Sequence, residues 1–224
     1  MVETSATDRS GPEEETKAGM AQLNVTDVQQ IHQATFNLPK IELHAHIGGC
    51  FRPQTFLELV LAKGLDLDKI DFYNVTIESA FEFFKLGAQL VTDIPTLQRI
   101  TYEIIEDYEK QNTRYLELRS SPKQYGDKSK AECVRAILEV IDQAATDMPT
   151  LKVRFLLSIN RTASLEAARE TLALAKEIDS PYIVGVELSG DPRSGEFATF
   201  EEELRTWREE TGMKISLHCA ETEE

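Results

Sequence analysis

The chain has 224 residues, 41% of them hydrophobic, enough for one sizeable core. Its 39 acidic and 24 basic residues give a net charge of −15. A surface so acidic repels phosphate polymers, which argues against a nucleic-acid partner while leaving room for a single nucleotide in a local pocket. Cys50, Cys133 and Cys219 are far apart and form no CxxC, which speaks against a disulfide framework and a cysteine zinc knot. The first residues are polar and acidic rather than basic and then apolar, and the apolar runs are too short to span a bilayer. These features lead us to expect a soluble, cytoplasmic, monomeric protein.

Residues 1–22 hold Gly, Pro, Ser, Thr and the run Glu13-Glu14-Glu15, and are expected to form a disordered acidic tail. Residues 23–224 keep a steady composition and are expected to form one domain. A polar helical segment comes first and places His32 on the surface. Strands are expected at Lys40–His46, Arg114–Arg119, Val153–Ile159, Tyr182–Leu188 and Lys214–Cys219, where branched and apolar residues concentrate. Helical patterns fill the intervals at Pro53–Lys63, Ile77–Val91, Pro95–Lys110, Ser129–Ala145, Ser164–Ile178 and Phe200–Glu210. This alternation predicts an α/β fold of parallel strands covered by helices. Periodicity leaves two forms open, a (β/α)8 barrel and a doubly wound sheet. The absence of G-x-G-x-x-G after the first strand weighs against a dinucleotide-binding version of the second.

The chemistry concentrates at two strand ends. In Glu42-Leu43-His44-Ala45-His46 the two histidines lie two residues apart on a strand, so they share a face and can hold one divalent ion. In Leu217-His218-Cys219-Ala220-Glu221 a third histidine ends another strand, with Glu221 three residues on. Parallel α/β folds place their sites at such C-terminal strand ends. Three imidazoles with a carboxyl group nearby suit zinc hydrolysis. Read alone, the histidines could be incidental and Glu221 a solvated loop charge beside Glu223 and Glu224.

The stretch Leu38-Pro39-Lys40-Ile41-Glu42-Leu43-His44-Ala45-His46 resembles the opening motif of the adenosine deaminase family. Three further stretches resemble later family motifs in the same order. They are Tyr115-Leu116-Glu117-Leu118-Arg119-Ser120-Ser121-Pro122, Gly185-Val186-Glu187-Leu188-Ser189-Gly190-Asp191-Pro192 and His218-Cys219-Ala220-Glu221. The resemblance implies a (β/α)8 TIM-type barrel, of which about the first five β/α units are present, and a zinc-dependent deaminase of 6-aminopurines. It implies one Zn2+ ion held by His44, His46 and His218, and Glu221 as proton donor to the ring nitrogen beside C6. It brings His46 and the Gly190 backbone close to the purine. A small purine nucleoside or nucleotide would be the partner.

Two features resemble the adenosine deaminase-like branch, associated with N6-methyl-AMP. One is the wording Leu188-Ser189-Gly190-Asp191-Pro192. The other is Gly48, where nucleoside enzymes carry an Asp that would suit a ribose hydroxyl and repel a 5′-phosphate. That branch usually has Asn there, so Gly48 departs from both patterns. Asn160, Arg161 and Lys123 are candidates to hold the nucleotide. The resemblance also calls for a His on a sixth strand and an Asp pair after an eighth. The 224-residue polypeptide is therefore expected to be inactive alone. A different metal-dependent amidohydrolase and a catalytically dead purine- or zinc-binding protein are the rival readings.

Overall fold

The computed structural model describes residues 25–67 and 76–222, so the expected tail lies outside it. Helix α1 (Val25–Asn37) belongs to a unit ending at Pro39. Its His32 is exposed and stacks on Phe36 one turn later.

The second unit begins at Lys40. In chain order it contains β1 (Lys40–His46), α2 (Pro53–Lys63), α3 (Ile77–Leu90), α4 (Ile94–Lys110), β2 (Thr113–Ser120) and α5 (Lys130–Asp147). Then follow β3 (Lys152–Asn160), α6 (Leu165–Glu177), β4 (Ile183–Ser189), α7 (Glu201–Thr211) and β5 (Lys214–Leu217). The helix starts follow local chemistry. Asp93, Ser129 and Ser164 each accept a hydrogen bond from the backbone N–H of the third residue of their helix. Thr76–Ser79 and Ser129–Glu132 close reciprocal capping boxes. Gly64 ends α2 and Gly212 ends α7 in the left-handed conformation that glycine adopts without steric cost.

All neighbouring strands pair in parallel, in the spatial order β1-β2-β3-β4-β5. That order decides what periodicity left open. A doubly wound sheet reverses its strand order at a switch point. Here each strand pairs with the next, with helices in between, as in the first five units of a (β/α)8 barrel.

The pleat sorts the strand residues into two layers. Leu116, Leu118, Phe155, Leu157, Val186 and Leu188 are buried in the main core. That core also holds Ile100, Ile104 and Ile105 of α4, Ile137 and Ile141 of α5, Leu172 of α6 and Trp207 of α7. Each such side chain contributes about 1.5–3 kcal/mol by leaving water. The opposite layer is polar, with Arg119, Ser158, Glu187 and Ser216 in one zone. Ser158, Glu187 and Ser216 are register partners.

Two strand expectations need adjustment. β5 ends at Leu217 rather than Cys219, because Ala220 takes a positive φ of 58° and turns the chain. β1 is not covered along its length: Ile41 and Leu43 are exposed despite being apolar, and so is Leu217 of β5. These are the two ends of the strand order, where only one neighbouring strand is present among the described residues.

Candidate metal centre

β1 carries an irregularity where its chemistry lies. Glu42 pairs with Leu116 and Ala45 with Leu118, three residues of advance against two, so β1 bulges at Leu43–His44. Bulges re-aim side chains and leave ladder groups to be satisfied elsewhere. Glu42 Oε1 accepts the His44 N–H at 2.7 Å, and the Leu43 carbonyl accepts from Arg119 Nη2. Beyond the bulge Ala45 is fully buried, while His44 and His46 on either side of it share the other face.

His218 arrives from the far end of the sheet. Its backbone N–H donates to the Leu188 carbonyl at 3.0 Å, one pairing beyond the end of β5. Its Nδ1 lies 3.2 Å from the same oxygen. A carbonyl only accepts, so Nδ1 carries the proton and Nε2 keeps its lone pair.

The three Nε2 atoms converge. His44 and His46 are 3.0 Å apart, His46 and His218 3.4 Å, and His218 and His44 2.8 Å. Three nitrogens bound at about 2.0–2.1 Å in a tetrahedral array stand about 3.3–3.4 Å apart, close to this triangle. Burial pushes the His46 pKa down to about 4, and burial followed by the Arg119 charge also lowers that of His44. Such imidazoles stay neutral near pH 7, the form that binds a metal. The donor set therefore fits a borderline-soft divalent ion such as zinc.

Glu187 is the functional candidate that sequence reasoning passed over. Its carboxylate and the three imidazoles each bring a ligand-type atom within 4.8 Å of the others. It is fully buried, accepts from Arg119 Nη1, and accepts the Ser158 hydroxyl at 2.6 Å. A signal did exist. An acid inside the apolar strand Ile183–Ser189 must have partners, because an unpaired buried carboxylate is too costly.

The remaining candidates divide. Gly190 and Asn160 come together at adjacent strand ends. Gly190 has φ +114°, and a Cβ there would stand 2.7 Å from Asn160 Oδ1. That oxygen accepts from the Thr162 N–H at 2.9 Å and hydroxyl at 2.7 Å, so it shapes the loop leaving β3. Gly48 is exposed, and a Cβ there would meet nothing within 4 Å. Glu221 is exposed in the bend after β5 and is not one of the four converging residues. Arg161 Nη2 donates to the His218 carbonyl at 2.8 Å, and Lys123 to the Ala88 carbonyl at 3.2 Å. Arg193, on the loop after β4, bonds Asp191 and reaches Glu78 of α3 at 2.6 Å. The Arg193 guanidinium holds the Asp191 carboxyl down at about 2.

A family model described as adenosine deaminase matches residues 39–224. The chain belongs to the adenosine deaminase family. It is 35% identical over 216 residues to the N6-mAMP deaminase of Arabidopsis thaliana, covering 83% of this chain and 61% of that protein. Among solved structures, the Arabidopsis ADAL complexed with GMP superposes with a TM-score of 0.76 at 35% identity, covering 86% of this chain and 61% of that one. A Burkholderia ambifaria amidohydrolase with bound Zn gives a TM-score of 0.71 at 25% identity, covering 85% and 54%. The chain thus spans about three fifths of the length of the Arabidopsis members of the family. All three cysteines are free thiols, and no helix described is long and apolar enough to cross a membrane.

Proposed function

We propose that this chain carries the zinc-binding and purine-protonating part of a hydrolytic 6-aminopurine deaminase, with N6-methyl-AMP as the preferred substrate. The observation that carries the reading is the convergence of three imidazole nitrogens within 3.4 Å of one another. In this reading His44, His46 and His218 hold one Zn2+. When bound, the ion acts as a Lewis acid that activates water for attack on C6.

The chain's own residues do the rest. Glu221 donates a proton to the ring nitrogen beside C6, so that electron density can leave the carbon under attack. The positive φ of Gly190 lets its backbone face the ring, since a side chain there would strike Asn160. His46 lines the same wall. Water adds at C6, the C6–N6 bond breaks, and methylamine leaves with IMP as product. Adenosine would release ammonia and give inosine by the same steps.

Three points support a nucleotide over a nucleoside. The Arabidopsis relative is named an N6-mAMP deaminase, and a solved relative is complexed with GMP. Gly48 also places no carboxylate where a 5′-phosphate would be repelled. The free thiols and acidic surface support a cytoplasmic setting, and the net charge of −15 supports a small-molecule partner rather than a polymer. We assign no oligomeric partner and treat the protein as a monomer.

The test is the dissociation constant of the zinc-loaded chain for N6-methyl-AMP and for adenosine. The expected ratio favours N6-methyl-AMP; a ratio favouring adenosine overturns the nucleotide assignment. The described residues bring no further imidazole to the cluster and no acid other than Glu187. We therefore expect the 224-residue polypeptide by itself to bind zinc without efficient turnover. Rapid ammonia or methylamine release from it would refute that.

A further inference from the structure

The polar layer beneath the three imidazoles is one connected device, and Arg119 is its hub. Arg119 is 3% exposed, and its Nη2 donates to the Leu43 carbonyl in the bulge that sets His44. Its Nη1 donates to Glu187 Oε2 and, at 3.1 Å, to the Ser216 hydroxyl, two residues before His218. One guanidinium thus touches the segments that carry two of the three histidines and the carboxylate facing the third.

That carboxylate is oriented in a definite way. Glu187 Oε1 accepts from Ser158 at 2.6 Å and lies 3.5 Å from His46 Nδ1. Glu187 Oε2 is taken by Arg119 and lies 3.9 Å from His218 Nδ1. Both histidines therefore show Glu187 their Nδ1 side, while their Nε2 atoms point to the convergence with His44. A ligand would have to present an oxygen on the Nε2 side. Glu187 does not, and each of its oxygens already accepts a strong hydrogen bond.

We propose that Glu187 is a positioning residue rather than a metal ligand. Clamped by Arg119 and Ser158, it holds the His46 ring with Nδ1 protonated and Nε2 free to coordinate. It supports His218, whose Nδ1 donates to the Leu188 carbonyl, from the same side. This rests on the reading of His44, His46 and His218 as the metal site. A carboxylate behind a ligating imidazole fixes its tautomer and orientation, and removing such a partner typically costs about 10–100-fold in metal affinity.

The experiment is a zinc titration by chelator competition on the wild-type chain and on Glu187→Gln. The variant keeps the shape and removes the charge. We expect its zinc affinity to fall about 10–100-fold. Because it leaves Arg119 without its counter-charge and could fold poorly, Ser158→Ala serves as a milder second variant. It removes one neutral donor to Glu187 and should weaken zinc in the same direction, by less. Leu157→Ala, in the outward apolar layer, controls for general destabilisation and should leave the affinity of the folded protein unchanged. A zinc-loaded crystal structure completes the test. Wild-type affinity in both Glu187→Gln and Ser158→Ala overturns the proposal, as does a Glu187 oxygen at about 2.0–2.2 Å from the metal. A wild-type chain that binds no zinc fails the metal-site reading itself, a distinct result from equal binding by wild type and variants.

Discussion

Gly190 shows how a single backbone conformation couples two strand ends. Its φ of +114° is a region that side chains rarely adopt, and the Asn160 carboxamide fills the space a Cβ would need. Gly190→Ala is expected to cost about 1–3 kcal/mol in urea denaturation, from backbone strain alone. It should also disturb the Asn160–Thr162 contacts. A loss within measurement error would mean that the loop relaxes freely. The glycine is visible in the sequence, but its neighbour is not, because Asn160 lies thirty residues earlier on another strand. Glu187 repeats the point. Its letter is legible inside an apolar strand, yet its partners Arg119 and Ser158 come from β2 and β3, and only folding brings them together.

Among the elements, α5 shows the local code at its clearest. Ser129 accepts the Glu132 N–H, and the Glu132 carboxylate accepts the Ser129 N–H at 2.8 Å. Ser129→Ala should destabilise the protein by about 0.5–2 kcal/mol, read from the denaturation midpoint. No change would mean that packing alone holds the helix start. The helix boundaries were legible to within two residues because caps, glycines and apolar stripes are local signals. The bulge in β1 was not. It arises where the β1 ladder advances three residues against two of β2, and its freed groups are taken by Glu42 and Arg119. Strict alternation still put His44 and His46 on one face, because both lie at or beyond the bulge and Ala45 separates them.

For the whole molecule, the notable relation is between the ends of the sheet. β1 and β5 stand at opposite ends of the strand order, yet His44 Nε2 and His218 Nε2 are 2.8 Å apart across 174 residues of chain. The sheet curls until side chains from its two ends meet at this point. A metal held there joins the two edges and binds the folded chain in preference to the unfolded one. At free zinc about 100 times the dissociation constant, mass action adds about 2.7 kcal/mol, or roughly 5–10 °C in Tm for a chain of this size. Calorimetry with and without a chelator measures it. An unchanged Tm would argue against a metal joining those strands.

The sequence by itself determined the alternation of strands and helices, the three histidines at two strand ends and the family resemblance across residues 38–221. These follow from short-range rules: the two-residue pleat, the helical turn and the chemistry of caps. Periodicity left barrel and doubly wound order open and the family resemblance implied the barrel; the strand order of the tertiary structure bears the barrel out, because strand neighbours are chosen by crossovers and packing rather than by local periodicity. Only the tertiary structure set the imidazoles in a triangle and placed a clamped carboxylate behind two of them. That arrangement depends on the curl of the whole sheet and on a buried charge pair drawn from two separate strands.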